Sequence, residues 1–425
     1  MKTVGLSLDQ APQLSIPASF FLTIPIGVLI AGFILIGTGS AAFVSPWMPH
    51  ATALAHAGTL GVLAMGMLGA LYQMIPVVAG APVPFTRLAH IVHVLLFAGL
   101  LLFIWRLLGG PTTAMTAAIY CFSVAMPLFL IPLGWALLRA PTKDATVQGM
   151  RVAVASLLVI TLIGLFMAIG FAGGFFSENR MIWMQIHLTL ALCGWVGGLI
   201  VAVSWQVIPM FYLAETVSKA LKHSLLVLLM TGLALPLLVV FTGLGFEGLL
   251  STKRLVALAA LPAALVIWLL HPMMILSKIA QRKRKRSDAS LLFWQAGLGI
   301  GLFLIPLASA AVLLPDPRWQ VMFGWLSVWG WAATIMHGML SRIVPFLVWF
   351  HRYSARVGLE IVPSMRSLLP QKRIKTGFYL HMGSLLLGAL AIVFQLGSLA
   401  QMTGLLLVAT AISMASMLIH VLRSR

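Results

Sequence analysis

The chain has 425 residues, of which 61% are hydrophobic and only 8% charged, with a mean hydropathy of +1.06. A soluble domain of this length cannot bury that much apolar surface, so these values exclude a water-soluble globular enzyme and indicate an all-α polytopic membrane protein. The net charge of +19 suggests nucleic acid as a partner only until its distribution is read along the chain.

Twelve apolar segments are expected, starting near residues 18, 54, 90, 114, 152, 183, 223, 255, 290, 320, 376 and 402. The first, from about Ile16 to Phe43, is too long for a cleavable signal and lacks a small-residue cleavage site. With the N-terminus in the cytoplasm, all but five of the 27 Lys and Arg fall inside, including the run "KIAQRKRKR" from Lys278 to Arg286. The five are Arg106, Arg180, Lys253, Arg254 and Arg318. That bias follows the positive-inside rule and places both termini in the cytoplasm of a bacterial inner membrane. The basic loops face anionic headgroups, so the lipid bilayer is the expected partner and nucleic acid is not. All eight acidic residues map to loops or termini, which argues against a proton-driven carrier. Cys121 and Cys193 are too few for a disulfide framework and lack CxxC spacing.

Segments 2, 6 and 10 share a pattern. They read "GVLAMGMLGALYQMIP" (Gly61 to Pro76), "GWVGGLIVAVSWQVIP" (Gly194 to Pro209) and "GWAATIMHGMLSRIVP" (Gly330 to Pro345). Each opens on Gly and ends on a β-branched residue plus Pro; Gln73 and Gln206 coincide, with Arg342 in the third copy. The copies lie 133 and 136 residues apart, which predicts one transmembrane domain over residues 1–425, built from three four-helix units near 18–140, 150–280 and 288–422. The prolines are expected to close their helices at the inner edge. The glycines serve close helix packing, or the approach of a flat ligand.

Histidines fall on two levels. His50, His56 and His187 lie on the outer side, and segments 3, 7 and 11 open on the inner side with His90 and His93, His223, and His381. His337 sits deeper on segment 10, while His271, His351 and His420 fall at segment ends or in loops. His56 and His187 lie about a turn inside the hydrocarbon, where an unpaired imidazole is costly and a metal or haem bond offsets the cost. Counted from the conserved-spacing glycines, these two differ in depth by about 3 Å, whereas His56 and His337 differ by roughly 18 Å. One outer site for His56 with His187 is therefore expected, beside the small residues Ala57 and Gly58. A separate inner metal cluster is expected for His337 with His90, His93 or His223; His187 and His381 are further metal-ligand candidates.

The layout resembles subunit I of the haem-copper oxidases. "AHAGTLGVLAMGMLGALYQMIPVVAGAPVPFTRL" is similar to that family's second helix, with its haem-ligand His and Gly-Ala-Pro loop. "QIHLTLALCGW" is similar to the sixth helix of the nitric oxide reductase branch, and the layout also resembles NnrS, a twelve-helix haem- and copper-associated membrane protein. The resemblance implies haem b on His56 and His187, with His337 as an alternative axial ligand and copper as a second cofactor. It also implies a cytochrome or other respiratory subunit as partner, and a role in respiration or the nitric oxide response. Arg180 and Arg318 are candidate propionate holders. The chain departs from the oxidases in lacking the paired His of helix 7, a Glu after His187, and the His-x-His of helix 10, where Phe323 and Trp325 stand. Full oxygen or nitric oxide reduction is thus not expected. The rival expectation is a channel or transporter for a small solute or metal ion on the same fold without cofactor.

Overall fold

The computed structural model describes residues 10–175, 180–242, 251–283 and 288–424. Glu178, Glu247 and the basic residues 284–286 lie outside the described residues. Among the described residues, twelve helices are long and apolar enough to cross a bilayer: α1 Ser15–Phe43, α2 Pro49–Ala79, α3 Leu88–Leu107, α4 Thr112–Arg139, α5 Ala145–Gly173, α6 Arg180–Tyr212, α7 Lys219–Phe241, α8 Leu261–Ala280, α9 Ser290–Leu313, α10 Pro317–Arg356, α11 Gln371–Phe394 and α12 Gly397–Arg423. No strand occurs among the described residues. Hydrocarbon offers no partner for a free N–H or C=O, so a helix, which pairs them internally, is what such apolar runs must form.

Helix starts are set by side-chain caps where the sequence supplies them. Asp144 accepts from the Thr146 N–H before α5, Ser218 from the Leu221 N–H before α7, and Asp316 from the Arg318 N–H before α10. Asp316 also receives the Arg318 guanidinium, and these hydrogen bonds hold its exposed carboxyl below the usual carboxylate range. Segment 8 begins later than expected. A short helix, Thr252–Ala259, precedes it, and α8 proper starts at Leu261 with Pro262 in its first turn.

The three helices carrying the Gly-to-Pro pattern form the centre. In α2, α6 and α10 83%, 72% and 72% of the most apolar stretch is buried, against 61% or less elsewhere. Each contains a π-helical stretch around its pattern glycine: Thr59–Ala64, Leu190–Gly197 and Leu326–Ala332. The glycines are packing positions. A Cβ on Gly61 would lie 3.0 Å from the Gly27 Cα of α1, one on Gly194 would meet Ser156 of α5, and one on Gly330 would lie 3.2 Å from Ile300 of α9. The prolines do not close their helices. Pro76, Pro209 and Pro345 all stand inside, and α10 runs on to Arg356. The first and last helices meet where α1 packs along α12. That crossing is a glycine contact: a Cβ on Gly32 would fall 2.8 Å from the Gly404 carbonyl oxygen.

Candidate functional site: an outer cavity with two imidazoles

A cavity of about 310 Å³ lies between the halves of α2, α3, α5, α6 and α10 nearest the α1–α2 loop, the side expected to face outward, with that loop at one end. Its walls are mostly aliphatic and aromatic. Two imidazoles enter it, His56 from α2 and His187 from α6. They are near enough for a charge on one to act on the other.

The carbonyl of Thr52, one turn earlier in α2, lies 2.8 Å from the Nδ1 of His56. A carbonyl only accepts, so Nδ1 carries the proton and Nε2 keeps its lone pair for a ligand. The ring is further fixed edge-on against Phe103, with centroids 5.0 Å apart. His187 rests on α5, where its ring lies beside the Ile160 carbonyl but its Nδ1 has no partner in hydrogen-bond geometry. Space for that ring comes from Gly164, since a Cβ there would sit 3.2 Å from Cε1 of His187. A buried imidazole nitrogen without a partner costs about 1–3 kcal/mol.

The opposite wall is aromatic. Phe323, Trp325 and Trp329 of α10 line it, and Trp325 donates its N–H to the Leu385 carbonyl at 3.2 Å. At the end formed by the α1–α2 loop, Arg180 lies over the Trp47 ring at 5.2 Å and Gln320 completes the rim. Arg318 faces elsewhere, paired with Asp316 and bonded to the Val393 carbonyl. Gly324 stands in the cavity wall with open space where a side chain would be. The room beside His56 is not at Ala57 and Gly58. Ala57 is fully buried, and a Cβ on Gly58 would meet Val328 at 2.6 Å; on α2 the alanines facing the cavity are Ala51 and Ala55.

The inner histidines arrange differently from the expected cluster. His337 pairs with His381 of α11, edge to face with centroids 5.7 Å apart, and both are buried. His337 lies outside the outer cavity, packed on Phe293 at 4.6 Å. His90 and His223 are exposed, and His93 is bound instead to Thr23 of α1 at 2.6 Å, so none of the three joins His337. The reason is register: α11 begins at Gln371, which carries His381 about 15 Å along the helix, level with His337 rather than at the headgroups. His381 lies 2.8 Å from the Thr334 hydroxyl and 3.2 Å from the Trp329 carbonyl.

His271, expected at a segment end, is fully buried in α8, with Nε2 2.8 Å from the Ser204 hydroxyl of α6. With α8 starting at Leu261, His271 falls at mid-helix. His351 and His420 are exposed. Gln73 is buried with neither side-chain polar atom bonded, while Arg342, its counterpart, is neutralised by Asp288. Among the described residues, no three His, Cys, Asp or Glu converge as a metal-ligand group. No protein-family model matches the sequence, and comparison with curated proteins gives no match.

Proposed function

We propose that the outer cavity is a cofactor site for a b-type haem, held by His56 and His187, in a multi-pass protein of a bacterial inner membrane with both termini cytoplasmic. The observation that carries this reading is the pair of imidazoles on one apolar cavity, one with its Nδ1 proton tied to Thr52 so that Nε2 is available. The alternative resident metal, copper, is less well served. Copper and zinc sites draw on three or four protein ligands, and no such group converges among the described residues. A haem iron takes only one or two axial protein ligands, because the porphyrin supplies the rest.

The surroundings fit a flat apolar group with an acidic edge. The cavity is at the lower end of the 300–1,000 Å³ typical of small-ligand sites. Arg180 at the rim would face the propionates, and the aromatic wall of α10 would exclude water from the ring. Such a haem would supply one-electron chemistry or binding of a diatomic gas. In keeping with the resemblance to haem-copper oxidase subunit I and NnrS, we place the protein in respiration or the nitric oxide response, with a cytochrome or respiratory subunit as its partner. The matching central helices α2, α6 and α10 support a reading of the chain as three related four-helix units.

The test is an absorption spectrum of protein purified from haem-sufficient cells. A Soret band is expected, lost or shifted in His56→Ala and His187→Ala but kept in His337→Ala. A wild-type protein without the band, or a band untouched by either outer substitution, would overturn the assignment.

A further inference from the structure

At the other end of the molecule, where α10 and α12 both finish, a second pocket of about 440 Å³ is lined by Arg352, Tyr353, Arg356, Leu422 and Arg423. We propose that this pocket binds the phosphate of an anionic phospholipid headgroup.

Three guanidiniums in one small pocket repel one another unless an anion joins them, and Arg is the side chain suited to phosphate. Only part of their charge is met within the protein. Arg356 pairs with Glu360 and lies over the Tyr353 ring at 6.0 Å. Arg352 donates to the Leu422 and Ser424 carbonyls, which covers the negative end of α12 with positive charge. Arg423 is exposed, with no ion pair among the described residues. The second observation is independent of charge. Tyr353 is 4% exposed, and its hydroxyl is buried with no hydrogen-bond partner. Tyr353 lines the pocket, and its buried phenol is an unsatisfied donor for which a phosphate oxygen is a suitable acceptor.

The lipid source, rather than soluble phosphate, follows from what flanks the pocket. Directly after Arg356 the chain exposes Leu359 and Ile361, at 84% and 101%. The Trp349 indole donates to the Pro363 carbonyl at 2.8 Å and fastens this loop to α10. Apolar side chains presented beside arginines at the end of two membrane-spanning helices match the interface, with phosphate level with the guanidiniums and acyl chains beside Leu359 and Ile361.

The test is native mass spectrometry of the full-length protein released from nanodiscs that mix phosphatidylglycerol and phosphatidylcholine, with thermal melts in inorganic phosphate as a second arm. Wild type is expected to retain phosphatidylglycerol selectively. Arg356→Gln and Arg423→Gln should each weaken retention about fivefold, the equivalent of about 1 kcal/mol. Tyr353→Phe, which keeps the ring, should weaken it several-fold. Glu360→Gln frees Arg356 and should strengthen retention, an effect that misfolding cannot imitate. Equal retention of the two lipids, or a Glu360→Gln protein that binds no better than wild type, would overturn the proposal. Stabilisation by inorganic phosphate equal to that by phosphatidylglycerol would overturn the lipid assignment.

Discussion

Two glycines decide what the outer cavity can hold. Gly164 makes room for the His187 ring, and Gly324 leaves part of the wall empty. Gly164→Val should therefore push His187 off α5 and lower haem content as His187→Ala does, with an overpacking cost of about 1–3 kcal/mol in thermal melts. Gly324→Phe should act differently: the added ring enters open space, so the melting temperature should hold while the Soret absorbance per protein falls several-fold. If Gly324→Phe retains the full band, the cavity is not where the cofactor binds. His56 and His187 could be found in the sequence because each heads an apolar segment, where an imidazole is conspicuous. His271 and His381 could not be placed, because their depth depends on where α8 and α11 begin, and the N-cap residues there, Ala260 and Pro370, supply no side-chain cap to mark it. The glycines of the repeated pattern were legible as packing positions but their partners were not, since that of Gly61 is Gly27 on another helix.

The helices themselves were legible nearly whole, because twenty apolar residues in a row admit few other structures. The π-helical stretches in α2, α6 and α10 were not, because one residue added to a helical turn has no signature in composition. Their placement follows the site. In α2 and α6 the stretch begins three residues inward of His56 and of His187, and in α10 it runs among the wall residues Trp325 and Trp329. A π turn accommodates an extra residue without rotating the helix on either side. Deleting Leu60, within that stretch, should leave His56 facing the cavity as the turn closes to α-helical form. Deleting Met67, in the regular part, should turn everything outward of it by about 100° and abolish both fold and haem binding. Equal damage from the two deletions, read by size-exclusion profile and Soret absorbance, would show that the π turn does not absorb the residue. The α1–α12 crossing offers a simpler comparison. Gly404→Leu would drive a side chain into the Gly32 backbone and should lower the melting temperature by more than Gly383→Leu, whose nearest neighbour is 3.3 Å from a Cβ and is the flexible end of Leu406.

Across the whole molecule the two ends are built unlike each other. The outer end holds the apolar cavity of the two imidazoles, whereas the inner ends of α6, α9 and α10 are joined by polar contacts. Tyr212 shares a hydrogen bond with Ser290 at 2.8 Å, Ser290 donates to Asp288, and Arg342 reaches both Ser290 and Asp288. The charges of Asp288 and Arg342 cannot have been paired from sequence, since they stand more than fifty residues apart and Asp288 reads as an ordinary loop acid. In the structure both side chains are only 11% exposed. A pair so placed is costly to break rather than strongly stabilising, because loss of one partner strands a buried charge. Asp288→Asn is the informative change: the amide can still accept from the Ser290 N–H, so the start of α9 is kept while the charge is removed. It should cost about 3–5 kcal/mol, and adding Arg342→Met should recover most of that loss by removing the stranded cation. Thermal melts of wild type, both single variants and the double variant in one detergent form the cycle that decides it. A double variant no more stable than Asp288→Asn would mean that the inner end is held by packing and not by this pair.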